Sequence, residues 1–210
     1  MTDTVFFGGI KKATAKLRLN DPQEVNRLGD GSVLKASLGA ALWQGELSLI
    51  PGYHVDQGAI EVKIAKLMRS GETFLAYDTR YDGPAADPDG SILGASTPTI
   101  HTLDADNRRI RVTGLPVGYE LRAGDWIGWT YGSSPVRYAL HRIETDATAS
   151  GAGLTPLFAV EPFIRPGVTV GTAVTLVRPP IKAVMTDADY GSGRPLITEG
   201  ASISFIQTLR

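Results

Sequence analysis

The sequence predicts a mainly β protein with a single amphipathic helix and a small β-barrel or sandwich set into the chain. Three observations predict it. The chain has 24 glycines and 13 prolines among 210 residues, spread along its whole length, which favours short strands and tight turns over a helix bundle. Alternation of apolar and polar residues recurs throughout, whereas a 3.6-residue period occurs in one segment only. A long stretch without periodicity, 78–98, interrupts the pattern and reads as a crossing between domains.

The elements follow in order. From Lys11 to Asn20, Ala13, Ala15, Leu17 and Leu19 take one side, and Lys12, Thr14, Lys16, Arg18 and Asn20 the other. That is a half-buried strand with a basic solvent face. Val25–Leu28 and Ser32–Ser37 flank Gly29-Asp30-Gly31, a hairpin turn by composition. Trp43, Gly45, Leu47 and Leu49 alternate with Gln44, Glu46 and Ser48 in another strand, which Pro51-Gly52 ends. The helix comes next. Asp56 stands at the N-cap position, Ile60, Ile64, Leu67 and Met68 form the apolar stripe, and Gly71 stops it. Thr73–Tyr77 is a strand leading out of the helix.

After the aperiodic stretch, strands are expected at Arg109–Val112, Trp126–Tyr131, Tyr138–Ile143, Leu157–Val160 and Val174–Val177. Five strands separated by Gly-, Pro- and Asp-rich turns suit a small barrel or sandwich. Pro179-Pro180 breaks the chain again, Gly191–Gly193 forms a turn, and Ser202–Leu209 is a last strand. The expected layout is therefore an outer β domain, 1–95 with 181–210, carrying an inserted barrel over 98–180.

Composition excludes several functions. Twenty-one basic and 22 acidic residues leave a net charge of −1, so no global field attracts nucleic acid. The absence of cysteine excludes disulfides, Cys-based zinc sites and a Cys nucleophile, and fits a reducing cytoplasm. Met1-Thr2-Asp3-Thr4 is polar and lacks the basic region and apolar core of a signal peptide. No apolar run reaches the roughly 20 residues of a membrane span.

Residues that carry chemistry elsewhere have plainer roles here. His54 reads as loop before the helix, His101 as linker, and His141 as a surface or inter-subunit contact in a strand. Asp78, Asp82, Asp87 and Asp89, with Asp104 and Asp106 after them, crowd the aperiodic region. A calcium loop counted from Asp78 places Arg80 where a ligand belongs, so these acids read as turn formers. Glu120, Asp125, Glu144 and Glu161 are the candidates for a carboxylate pair of a glycan hydrolase. No nucleophile elbow, phosphate loop or dinucleotide fingerprint is present, and no cofactor or metal is expected. The chain does not read as an enzyme.

Two surfaces stand out. Trp126, Trp129 and Tyr131 crowd one strand, with Trp129 and Tyr131 on one face and Trp126 on the other. An exposed aromatic face would suit sugar stacking or a protein contact, and a barrel core would use the same rings. Lys12, Lys16 and Arg18 form either a charged edge against aggregation or an inter-subunit strand face.

The order of segments resembles the distal tail proteins of long-tailed, siphovirus-like phages and of gene transfer agents. Three stretches carry the resemblance. The first is Leu42-Trp43-Gln44-Gly45-Glu46-Leu47-Ser48-Leu49 before a short helix at Val55–Ser70. The second is Phe74-Leu75-Ala76-Tyr77-Asp78-Thr79-Arg80 with Pro84 and Asp87-Pro88-Asp89-Gly90 after it. The third is Leu115-Pro116-Val117-Gly118-Tyr119-Glu120-Leu121-Arg122-Ala123-Gly124-Asp125-Trp126-Ile127. It continues through Arg137–Ile143, Glu161–Val168 and Val170–Val174. Neighbouring minor tail proteins share the Ala-Gly-Asp module.

The resemblance implies a tail-tube-like β-sandwich domain with an inserted barrel of the OB or galectin kind. It implies six copies in a ring that joins the tail tube to the baseplate hub protein, in a virion assembled in the bacterial cytoplasm. It transfers no catalytic residue. A carbohydrate- or receptor-binding module at the tail tip, with Trp126, Trp129 and Tyr131 as its platform, remains the alternative, and a glycan hydrolase a more distant one.

Overall fold

The computed structural model describes residues 2–3, 10 and 12–210; Lys11, Met1 and Thr4, which figured in the expectations above, lie outside them. In chain order the elements are β1 (Thr2–Asp3), β2 (Lys12–Asn20), β3 (Gln23–Arg27), β4 (Val33–Ser37), β5 (Leu42–Leu49), β6 (Gly52–Tyr53), α1 (His54–Leu67) and β7 (Thr73–Ala76). Then come β8 (Thr99–Leu103), β9 (Arg109–Thr113), β10 (Glu120–Leu121), β11 (Trp126–Tyr131), β12 (Arg137–Ile143), β13 (Ala147–Thr148), β14 (Phe158–Glu161) and β15 (Val174–Thr175). The chain closes with β16 (Ile181–Asp189), β17 (Ser192–Arg194), β18 (Ile197–Glu199) and β19 (Ser202–Gln207). The fold is mainly β, with α1 its one helix among the described residues. No helix among them is long and apolar enough to cross a membrane.

Two compact units divide the chain, 1–74 with 183–208, and 75–182 with 209–210. The chain leaves the first unit within β7 and returns within β16. The border expected at 95–98 is therefore displaced to 74/75, and the aperiodic stretch belongs to the inserted unit.

The first unit is built on a six-stranded sheet in the order β1-β7-β16-β19-β5-β2. Cross-strand partners share a face, so the register Leu47↔Ile203, Gly45↔Phe205 and Met185↔Phe205 defines its buried side. Trp43, Leu47, Leu49, Ile203 and Phe205 are buried there. Gly45 is required by space: a Cβ on it would lie 2.1 Å from Phe205 Cζ. Phe74 meets the Phe205 ring edge-on, centroids 5.7 Å apart. A smaller sheet, β17-β18-β6, precedes α1 in space and hands its last strand directly to the helix.

That handover explains a difference from expectation. Asp56 is not the N-cap; it lies inside the first turn, and Tyr53 occupies the cap without a side-chain hydrogen bond. The His54 N–H instead donates to Leu196 O at 3.1 Å, so a neighbouring hairpin satisfies one of the orphan donors. Ile64 and Leu67 are buried as the stripe predicts. Gln57 joins them, its Nε2 donating to Ile50 O at 3.1 Å, whereas Met68 is exposed.

The inserted unit contains a six-stranded sheet, β15-β11-β12-β14-β9-β8. Its end strands approach through a Thr99–Ala173 bridge and through Ile100 N→Thr172 O (2.9 Å) and Val174 N→Pro98 O (2.8 Å), which nearly closes a barrel. Ile100, Ile110, Val112, Leu121, Ile127, Ile143, Phe158, Val160 and Leu176 fill it. The sequence reading found five of these strands and missed β8. A register shift between Ile100 and Thr102 breaks the alternation that would have marked it. The same interruption, between Met185 and Asp187, hid β16.

Candidate assembly surface

β2 is an edge strand. It pairs with β5 over Lys12–Asn20 and ends the order of the sheet, so its outer edge is open among the described residues. Lys16 stands opposite Glu46 and Arg18 opposite Gln44 on the solvent face. Lys16 Nζ lies 4.0 Å from Glu46 Oε2, both side chains well exposed. A pair of that kind contributes at most about 1 kcal/mol, so it specifies charge pattern more than stability.

Lys12 does not belong with them. The register shifts between Lys12 and Thr14, and Lys12 pairs with Leu49, a residue of the buried face. The expected triad of Lys12, Lys16 and Arg18 is therefore corrected to Lys16 and Arg18. A bulge inserts one residue, and one residue is enough to exchange the faces of everything before it.

β2 and β5 continue into a second hairpin, β3–β4, which forms an arm. Two residues, Asp21-Pro22, and four, Leu38–Ala41, separate the two ladders, and Leu38 N→Pro22 O (2.8 Å) ties the neck. At the tip Asp30 Oδ1 accepts from Ser32 Oγ (2.7 Å) and Ser32 N (2.9 Å), bonds that hold its carboxyl below the ordinary range. Gly31, at φ +87°, supplies the left-handed residue the turn needs. Every residue of β3 and β4 is exposed.

The arm is nevertheless amphipathic. Pairing puts Glu24 opposite Ala36 and Asn26 opposite Leu34, and Leu28 N→Ser32 O extends the ladder. Glu24, Asn26, Leu28, Leu34, Ala36 and Leu38 thus share one face, and Gln23, Val25, Arg27, Val33, Lys35 and Ser37 the other. Leu28, Leu34 and Leu38 are 47, 58 and 66% exposed.

The aromatic platform is not a surface. Trp126, Trp129 and Tyr131 are only 3, 3 and 6% exposed, and Trp129 and Tyr131 lie in the barrel core. Trp126, on the other face, is covered in part by the Arg142 guanidinium, 5.0 Å from its ring. A closed barrel buries the inner face of every strand, which a strand pattern alone does not reveal.

The histidines also differ from expectation. His141 is buried at 2% exposure, stacked on Trp129 with ring centroids 4.5 Å apart. Its Nδ1 donates to Pro162 O at 2.7 Å, which leaves Nε2 as a buried nitrogen without a partner. Burial, aided weakly by the Arg165 charge, pushes its pKa down to about 4. His54 is the first helical residue rather than loop, its Nδ1 2.6 Å from Thr198 Oγ1. His101 lies in β8 rather than in a linker, exposed, beside Thr102 Oγ1.

The acids pin turns, as expected. Asp87, 1% exposed, accepts from Ile92 N (2.9 Å), Leu93 N (2.9 Å) and Tyr119 Oη (3.1 Å). Burial and this hydrogen bond to Asp87 push the Tyr119 hydroxyl well above its ordinary pKa. Asp125 accepts from Ala85 N and Arg122 N, both at 2.8 Å. Asp78 receives Arg80 side-on, at 2.9 and 2.8 Å, and Asp82 pairs with Arg178. Asp89, Asp104 and Asp106 accept from the backbone N–H groups of Ser91, Ala105 and Arg108. Glu120 pairs with Arg122, while Glu144 and Glu161 are exposed. No three His, Cys, Asp or Glu side chains among the described residues are grouped to hold a metal ion.

Sequence reasoning missed one surface. Leu196, the second residue of the β17–β18 turn, has φ +79° and is 73% exposed. Around it Tyr53, Val55 and Ile197 are 67, 87 and 43% exposed. The available signal was Pro195-Leu196 between strand residues, a turn whose second position normally takes Gly. Comparison with protein-family models finds no match, and comparison with curated proteins finds none either.

Proposed function

We propose that the chain is a structural tail protein of the distal-tail kind, whose copies form a ring, six by the resemblance, between the tail tube and the baseplate hub of a virion. The observation that carries the reading is the outer edge of β2, open among the described residues and continuing into an exposed arm. An unpaired edge is a template for a second strand, and natural monomers blunt it. A ring repeats each contact, so modest joints add into a stable collar. The ordered segment resemblance supplies the copy number and the neighbours, and the role requires no catalysis.

The test is the mass of the purified protein in solution beside negative-stain images. A six-fold ring with a lumen supports the proposal. A monomer at high concentration that binds a glycan array points to a tail-tip receptor module and removes the ring mechanism.

A further inference from the structure

The first unit displays two unpartnered apolar surfaces, one on a protruding hairpin and one lining a groove. One is the leucine face of the arm. The other is a groove of about 690 Å³ whose lining includes Ile50, Tyr53, Val55, Ala59, Ile60 and Ile197. Leu196 borders it through Ile197 and through its hydrogen bond to His54. A left-handed leucine is strained, and it gains nothing from exposure in the single chain.

We infer that the leucine face of the β3–β4 arm of one copy docks in this groove of a second copy. The inference rests on the reading of the chain as self-assembling and names the joint. Both surfaces stay open within one chain, so the arm does not occupy its own groove. A two-stranded hairpin exposed on both faces is marginal in water, and a partner that covers its apolar side supplies the missing support. The charges are complementary. Glu24 is the one charge on the leucine face, where it accepts from Asn26 Nδ2 at 3.2 Å, and the groove wall offers it Lys63. Because arm and groove are different surfaces, the contact is head-to-tail and propagates from copy to copy until it closes.

The natural chain has no cysteine, so single thiols report the contact cleanly. Leu34→Cys and Val55→Cys, both exposed positions, are mixed at millimolar concentration with a short bismaleimide. Ser150→Cys, in an exposed turn, serves as the control. Several-fold more L34C–V55C product than L34C–S150C or L34C–L34C product is expected, and Leu196→Gly in the V55C partner lowers it. Equal yields across the pairs overturn the joint. A six-fold ring without the L34C–V55C product keeps the ring and removes the joint. The product without a closed six-copy particle keeps the joint and removes the ring.

Discussion

Protonation of His141 couples the stability of the barrel unit to pH. In the unfolded chain this imidazole titrates near 6.5, and in the native barrel at about 4. Between these values the unfolded state holds a proton that the native state does not, so stability is full above pH 6.5 and falls as the pH drops toward 4. The separation corresponds to about 3 kcal/mol in all at 1.36 kcal/mol per unit, of which about 2 kcal/mol is lost between pH 8 and pH 5. The cause is geometric: Nδ1–H is committed to Pro162 O, so the proton must go to a buried Nε2 lying over Trp129. Carboxylates titrate in the lower part of the same window, which makes the difference from a variant the useful quantity. His141→Asn keeps an N–H near Pro162 O and removes the titration. Urea unfolding at several pH values should show the wild type losing about 2 kcal/mol more than H141N over that interval. Parallel losses in the two proteins, or a native His141 that titrates near 6.5 by NMR, would refute the reasoning.

The other predictions concern the pinned loop, the glycine under Phe205 and the basic edge. Asp87→Ala strands the buried Tyr119 hydroxyl and removes the acceptor of two partly buried backbone N–H groups, costing about 2 kcal/mol; hydrogen exchange should speed first at Ile92 and Leu93, and unchanged protection there sinks the assignment. Gly45→Ala drives a methyl into the Phe205 ring and costs about 1–3 kcal/mol in thermal or urea unfolding. The loss should shrink when Phe205→Leu is present, and additivity of the two changes argues against the clash. Lys16→Glu with Arg18→Glu should reduce the assembled mass in light scattering while Lys12→Glu does not; equal effects of all three contradict the split that the bulge imposes.

Alternation alone located β2, β5, β11 and β12, and Gly29-Asp30-Gly31 located the arm's turn, because strand formation and hairpin turns depend on neighbours a few residues apart. The same local signal did not say which side of a strand would be buried by something distant. Trp129 and Tyr131 alternate equally well in an exposed sheet and in a closed barrel, and it is the Thr99–Ala173 closure, 74 residues apart, that buries them. The unit border moved for a similar reason: the Asp87–Tyr119 and Ala85–Asp125 bonds join the aperiodic stretch to the barrel across 32 and 40 residues. Bulges complete the contrast. Local patterns along the chain are enough for a mainly β protein with one helix among the described residues and a near-neutral, cysteine-free composition. Tertiary structure decided that Lys12 parts from Lys16 and Arg18 and that the arm's three leucines share a face, because strand register depends on the partner strand and one inserted residue reverses every side chain beyond it.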